Sequence, residues 1–131
     1  MYMLDTDICS YIIRMRPLSV LDKFNQLGNS DLCISVITQS ELIYDAERLR
    51  SQKITRSVIE NFTSRLLILN WDTAAAKSYG CLRASMEASG SNIGNMDLMI
   101  AAHALSINAT IVTNNIRHFS MVENLQIENW V

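Results

Sequence analysis

Four short apolar runs, each separated from the next by a stretch of helical periodicity, constrain this chain more than any other feature. Met1-Tyr2-Met3-Leu4, Leu32-Cys33-Ile34-Ser35-Val36-Ile37, Leu67-Ile68-Leu69 and Thr110-Ile111-Val112-Thr113 are short and nearly continuous in apolar character. Strands buried on both faces read this way. Between them apolar residues recur every three or four positions, and no tight-turn dipeptide would let neighbouring runs pair as hairpins. The expectation is an α/β fold: a mainly parallel central sheet of four to five strands, flanked by helices on both faces.

Local signals set the expected boundaries. Residues 2–5 form the first strand, and Ile8, Tyr11 and Ile12 begin a helix for which Thr6 or Asp7 is an available cap. Pro17 ends or restarts it, and a short second helix, Leu18 to Leu27, stops at Gly28. Thr38 is expected to open a helix through about Arg50, and Ile54 to Leu66 another, with Val58, Ile59, Phe62 and Leu66 inward. Asp72 caps a long helix ending at Gly90. Asn95 caps a further one from Met96 to about Ile107, and Leu125-Gln126-Ile127 is a candidate edge strand.

A chain of 131 residues supports one compact domain, and 49% hydrophobic against 18% charged residues excludes disorder. With one Pro and four Gly there is no linker at which to divide it. No secretory signal is expected, and no apolar run reaches the roughly 18 residues of a membrane span. Three cysteines, Cys9, Cys33 and Cys81, lack CxxC spacing, which favours reduced thiols in a cytoplasm over a zinc site.

The acids carry the chemistry. Asp5 follows the first strand, with Asp7 beside it; Glu41 lies near the start of the helix after the second; Asp97 lies in the first turn of the helix that feeds the fourth. Each has an ordinary explanation. Asp5 or Asp7 would cap a helix, Glu41 stands three residues after Thr38 as in a capping box, and Asp97 suits a helix N-terminus. Together they point elsewhere, because a parallel sheet with right-handed crossovers brings all three to one rim, at the carboxyl ends of the strands. Carboxylates gathered there resist joint ionisation unless a cation compensates, and Mg²⁺ or Mn²⁺ is the matching hard ion. The expected chemistry is metal-dependent and acts on phosphate.

The net charge of −2 suits this reading better than it first appears. Setting aside Asp5, Asp7, Glu41 and Asp97 leaves nine acidic residues against 11 basic, so RNA is not excluded as a partner. Arg48, Arg50, Lys53 and Arg56 cluster at a helical turn, where a solvated face is the ordinary reading and a grip on RNA phosphates the functional one. His103 reads as a packed core residue and His118 as a surface or supporting one. A haloacid-dehalogenase-like phosphatase also begins with a strand and an Asp-x-Asp pair. It wants Thr where Cys9 stands and a late lysine, whereas the last lysine here is Lys77.

The opening Leu4-Asp5-Thr6-Asp7, the stretch Ile37 to Glu47, the block Ile93-Gly94-Asn95-Met96-Asp97-Leu98-Met99-Ile100-Ala101-Ala102-His103-Ala104, the run Val112-Thr113-Asn114-Asn115-Ile116-Arg117-His118-Phe119 and the closing Glu128-Asn129-Trp130-Val131 occur in that order. In order and spacing they resemble the PIN-domain VapC toxins of type II toxin–antitoxin pairs, over essentially all of residues 1–131. The resemblance implies a Mg²⁺-dependent endoribonuclease, with Mn²⁺ able to substitute, that hydrolyses structured RNA and so inhibits translation. The implied substrate is tRNA, with initiator tRNA near the anticodon as a specific candidate. Asp5, Glu41 and Asp97 would be the metal ligands. Asn115 would join the catalytic set where many PIN domains carry a fourth acid, and Asp7 and Thr113 would support the ligands from behind. Asn92 departs from the Pro common in similar sequences. The resemblance further implies a VapB-like antitoxin, a homodimer, a larger complex with the antitoxin, and no membrane. The alternative is a non-catalytic PIN-like module that binds RNA or protein.

Overall fold

Side-chain alternation along three central strands divides the core into two layers. The computed structural model describes residues 1–27, 31–49 and 54–131, with the Leu49 side chain left aside. Within it β1 (Tyr2–Leu4), β2 (Leu32–Ser35), β3 (Leu67–Leu69), β4 (Thr110–Val112) and β5 (Ile127–Glu128) form one sheet in the order β3-β2-β1-β4-β5. Every pairing is parallel. Met3 is in register with Cys33 and Ile111, and all three face one layer; Leu4, Leu32, Ile34 and Val112 face the other. The expected α/β architecture is therefore present, with five parallel strands.

The helices follow the chain order. On one face lie α1 (Thr6–Arg14), α2 (Leu18–Gln26), α3 (Val36–Leu49) and α4 (Arg56–Thr63), which enclose Ile8, Phe24, Leu42, Ile59 and Phe62. On the other lie α5 (Thr73–Ala88), α6 (Asn95–Ser106) and the short α7 (Ile116–Phe119), around Leu98, Ile100 and Phe119. The chain builds outward from β1 to β3, then returns to lay β4 on the opposite side of β1. The strand order thus reverses between β1 and β4, and at such a reversal the connections diverge and leave a crevice at the carboxyl ends of the strands. Asp5 and Thr113 are the first residues beyond those two ends.

Several boundaries differ from the sequence expectation, each for a local reason. Asp5 itself caps α1, its carboxylate accepting the Ile8 N–H at 2.9 Å, so neither Thr6 nor Asp7 is the cap. The apolar run after Leu32 stops being a strand at Ser35, whose Oγ accepts the Ile37 N–H at 3.1 Å and starts α3 at Val36. Thr38 is therefore a fully buried helix residue rather than a cap. The helix expected over Ile54 to Leu66 is shorter, because Thr55 caps it; Ile54 and Leu66 are buried beyond its ends, and Val58 is 36% exposed. Gly94, not Asn95, precedes α6 as its cap, and the last strand lies at Ile127–Glu128. Asp72 caps α5 as expected, accepting the Ala75 N–H at 3.0 Å, and Gly90 (φ +75°) supplies the left-handed turn beyond its end. The expected stops at Gly28 and Arg50 lie outside the described residues. No described helix is long and apolar enough to cross a membrane.

Candidate active site

Asp5 is buried, with 3% of its surface exposed, because β1 delivers it to the middle of the sheet's carboxyl edge. One carboxylate oxygen accepts from Ile8 N–H, as a cap does; the other accepts the Thr113 hydroxyl from the end of β4. Those bonds favour the charged form. Burial outweighs them and, with the nearby negative charges of Asp7 and Asp97, pushes the pKa up to about 7.

Glu41 stands in the second turn of α3, because the helix begins at Val36, two residues before Thr38. A capping-box partner belongs in the first turn, so the structure removes that explanation for an acid at this position. Its Oε1 instead accepts the Thr6 hydroxyl at 2.6 Å, a bond from the first turn of α1 to α3. Burial raises the Glu41 pKa, Thr6 lowers it, and Asp97, Asp45 and Asp7 raise it again. Thr6→Val removes the donor while keeping the shape. We expect the Glu41 pKa to rise in a carboxyl NMR titration of the metal-free protein; an unchanged value would mean the bond is not made in solution.

Asp97 lies in the first turn of α6, raised by burial and by Asp7 and drawn down by His118. Its charge acts on both Asp5 and Glu41, so the three sequence-nominated acids share one electrostatic neighbourhood. Asp7, exposed on α1, acts on all three. Asn115 precedes α7; its N–H donates to Thr113 Oγ1 at 2.9 Å, and its amide Nδ2 lies 2.8 Å from His118 Nδ1. The sequence reads His118 as a surface or supporting residue, and Thr6 is the contribution that sequence reasoning missed. Thr6 was hidden by its role as a possible cap, although its place between two acids was a signal.

Among the described residues, no three His, Cys, Asp or Glu side chains already stand in ligating geometry. Both Asp5 oxygens and Glu41 Oε1 are turned onto donors of the protein itself. The donor chemistry nonetheless fits a hard divalent ion: oxygen atoms only, on carboxyls that raise one another's pKa, with no Lys or Arg among the groups acting on them. The basic cluster is less available than its charges suggest. Arg48 pairs with Asp45 at 3.4 Å and Arg56 with Glu47 at 3.3 Å, while Arg50 and Lys53 lie outside the described residues. His103 is buried as expected, its Nδ1 2.8 Å from Ser35 Oγ.

Known proteins resemble this chain over nearly all of its length. The PIN domain family matches residues 2–124. The tRNA(fMet)-specific endonuclease VapC of Shigella flexneri is 44% identical over 129 residues, 98% of this chain and 97% of that protein. The chain belongs to the VapC group of PIN-domain proteins. Among solved structures, this PIN domain superposes on a chain of DNA-bound VapBC from Salmonella typhimurium with a TM-score of 0.93 and 41% identity, covering 99% of this chain and 98% of that one. A chain of VapBC2 from Rickettsia felis, bound to a promoter DNA fragment, gives 0.92 and 40%, with coverage of 99% and 98%.

Proposed function

We propose that this chain, as one PIN domain over residues 1–131, is the toxin of a type II toxin–antitoxin pair and a divalent-metal-dependent endoribonuclease. The observation that carries this reading is the convergence of Asp5, Asp97 and Glu41, from three separate elements, into one electrostatic neighbourhood at the crevice beside β1. PIN nucleases as a family depend on metal; the proposed ion is Mg²⁺, with Mn²⁺ as substitute, held by Asp5, Glu41 and Asp97. When bound, such an ion lowers the pKa of water and offsets charge on a phosphate.

The chain's own residues supply the rest. Thr113 and Thr6 fix the Asp5 and Glu41 carboxylates by hydrogen bonds, Asp7 adds negative charge that favours cation entry, and Asn115 contributes an uncharged amide beside Thr113. Hydrolysis leaves a 3′-hydroxyl and a 5′-phosphate and does not use the 2′-hydroxyl. The proposed substrate is tRNA, specifically initiator tRNA, in keeping with the tRNA(fMet) in the name of the Shigella flexneri relative, and the proposed cut lies near the anticodon. Cleavage there would inhibit translation in the cytoplasm.

A VapB-like antitoxin is the proposed partner, within a complex built on a homodimer. Tyr44, 63% exposed on α3, and Val58 on α4 offer apolar surface along the helical hairpin where such a partner would lie. Asn115 in place of an acid favours the second reading, a binding module without catalysis. The two separate in one experiment. Purified protein with Mg²⁺ is expected to cut initiator tRNA at one position, leaving 5′-phosphate ends, and excess EDTA is expected to stop it. Cutting that persists in EDTA, or tRNA bound but left intact with Mg²⁺ and Mn²⁺, overturns the enzyme assignment.

A further inference from the structure

His118 stands on α7 at the edge of the acidic crevice, half-buried, and nothing in the metal-ligand assignment uses it. Two contacts place it. Asn115 Nδ2 is 2.8 Å from its Nδ1, and the Asn115 N–H bonds Thr113, which in turn donates to Asp5. An amide nitrogen only donates, so a ring that takes this bond accepts at Nδ1 and carries its single proton on Nε2. Among the described residues Nε2 has no hydrogen-bond partner, yet no partnerless polar side-chain atom is buried, so this N–H opens to solvent. Phe119, fully buried next to it, and the bond from Asn115 N–H to Thr113 hold the short helix to the end of β4. The ring is therefore set by its surroundings, with its one donor directed away from them.

We propose that His118 is a substrate-contacting residue, its Nε2–H donating a hydrogen bond to a non-bridging oxygen of the scissile RNA phosphate, and that Asn115 positions it by fixing the tautomer. This rests on the ribonuclease reading above. The role involves no proton transfer: a fixed neutral donor faces an oxygen on which negative charge grows during hydrolysis, a contribution worth more there than in water. It also gives Asn115 a use that an acid at that position would not share, since a carboxylate cannot donate to Nδ1.

The full-length protein supplies the test. His118→Ala is expected to lower kcat for tRNA cleavage about 100-fold, the usual effect of removing one such donor. Mn²⁺ affinity by calorimetry and melting temperature are expected to stay at parental values. His118→Gln, whose amide nitrogen falls near the Nε2 position, is expected to keep most of the rate. His118→Asn, which reaches only the Nδ1 position, is expected to behave like the alanine variant. Parental cleavage by His118→Ala overturns the proposal, as does rescue by Asn in place of Gln, which would mean the residue merely braces Asn115. Loss of Mn²⁺ affinity with the rate overturns it too, by placing the effect in the metal site. Each of these leaves the ribonuclease reading standing; parental cleavage by Asp5→Asn would instead remove that reading.

Discussion

Asp5→Asn is expected to reduce RNA cleavage to background while raising the melting temperature of the metal-free protein at neutral pH. The two effects share a cause. Asp5 is almost fully buried among acids, and its carboxyl pKa of about 7 lies well above the value near 3.9 of an unfolded chain. Between those values the folded protein binds a proton that the unfolded chain does not, so stability from this group is greatest at low pH and falls as pH rises through about 7. The full change amounts to about 4 kcal/mol. Asparagine keeps a good cap for α1 and carries no charge, so the variant should lose this slope. Melting curves of metal-free parent and variant should meet near pH 4 and separate by pH 8, with the variant higher. A parent that grows more stable over that interval, or a variant that cuts RNA normally, would show that Asp5 is not the buried, destabilised acid described above. The same arithmetic says why a cation belongs here: it removes a penalty the fold otherwise carries.

Phe119→Ala is expected to destabilise the protein by about 3–5 kcal/mol, the range for truncating a fully buried aromatic side chain. Against a total stability of roughly 5–15 kcal/mol for an ordinary domain, that is a large fraction. Phe119 lies in the layer formed with Ile100 and Ile111, and it ends a helix of one turn that has little stability of its own. Its loss should therefore loosen Asn115 and His118 before it unfolds the sheet. Urea unfolding gives the stability change, and cleavage assayed well below the melting temperature gives the local effect. Phe119→Leu, which keeps most of the apolar volume, should restore much of both. A Phe119→Ala protein of parental stability would mean that α7 is held by its hydrogen bonds to β4 instead.

Much of this architecture was legible beforehand because it rests on composition within short windows. A run such as Leu67-Ile68-Leu69 between helical patterns reads as a strand from its own residues, and Asp72 reads as a cap from its own side chain. What misled was competition between neighbours. Leu32 to Ile37 is apolar throughout, yet Ser35 turns its hydroxyl onto the Ile37 N–H and converts the end of a strand into the start of a helix. That shift of two residues changed the meaning of Glu41, which a capping box would have explained had α3 begun at Thr38.

The order of residues alone determined that helices would alternate with parallel strands and that acids would follow at least two strand ends, because periodicity and capping are local properties. Only the tertiary structure decided that β2 lies beside β1, which sets Thr6 against Glu41, and that β4 returns to the opposite side of β1, which sets Thr113 against Asp5 and brings Asn115 and His118 to the same rim. A carboxyl's ionisation depends on burial and on charges brought near it through space, and neither quantity exists until the chain has closed around it.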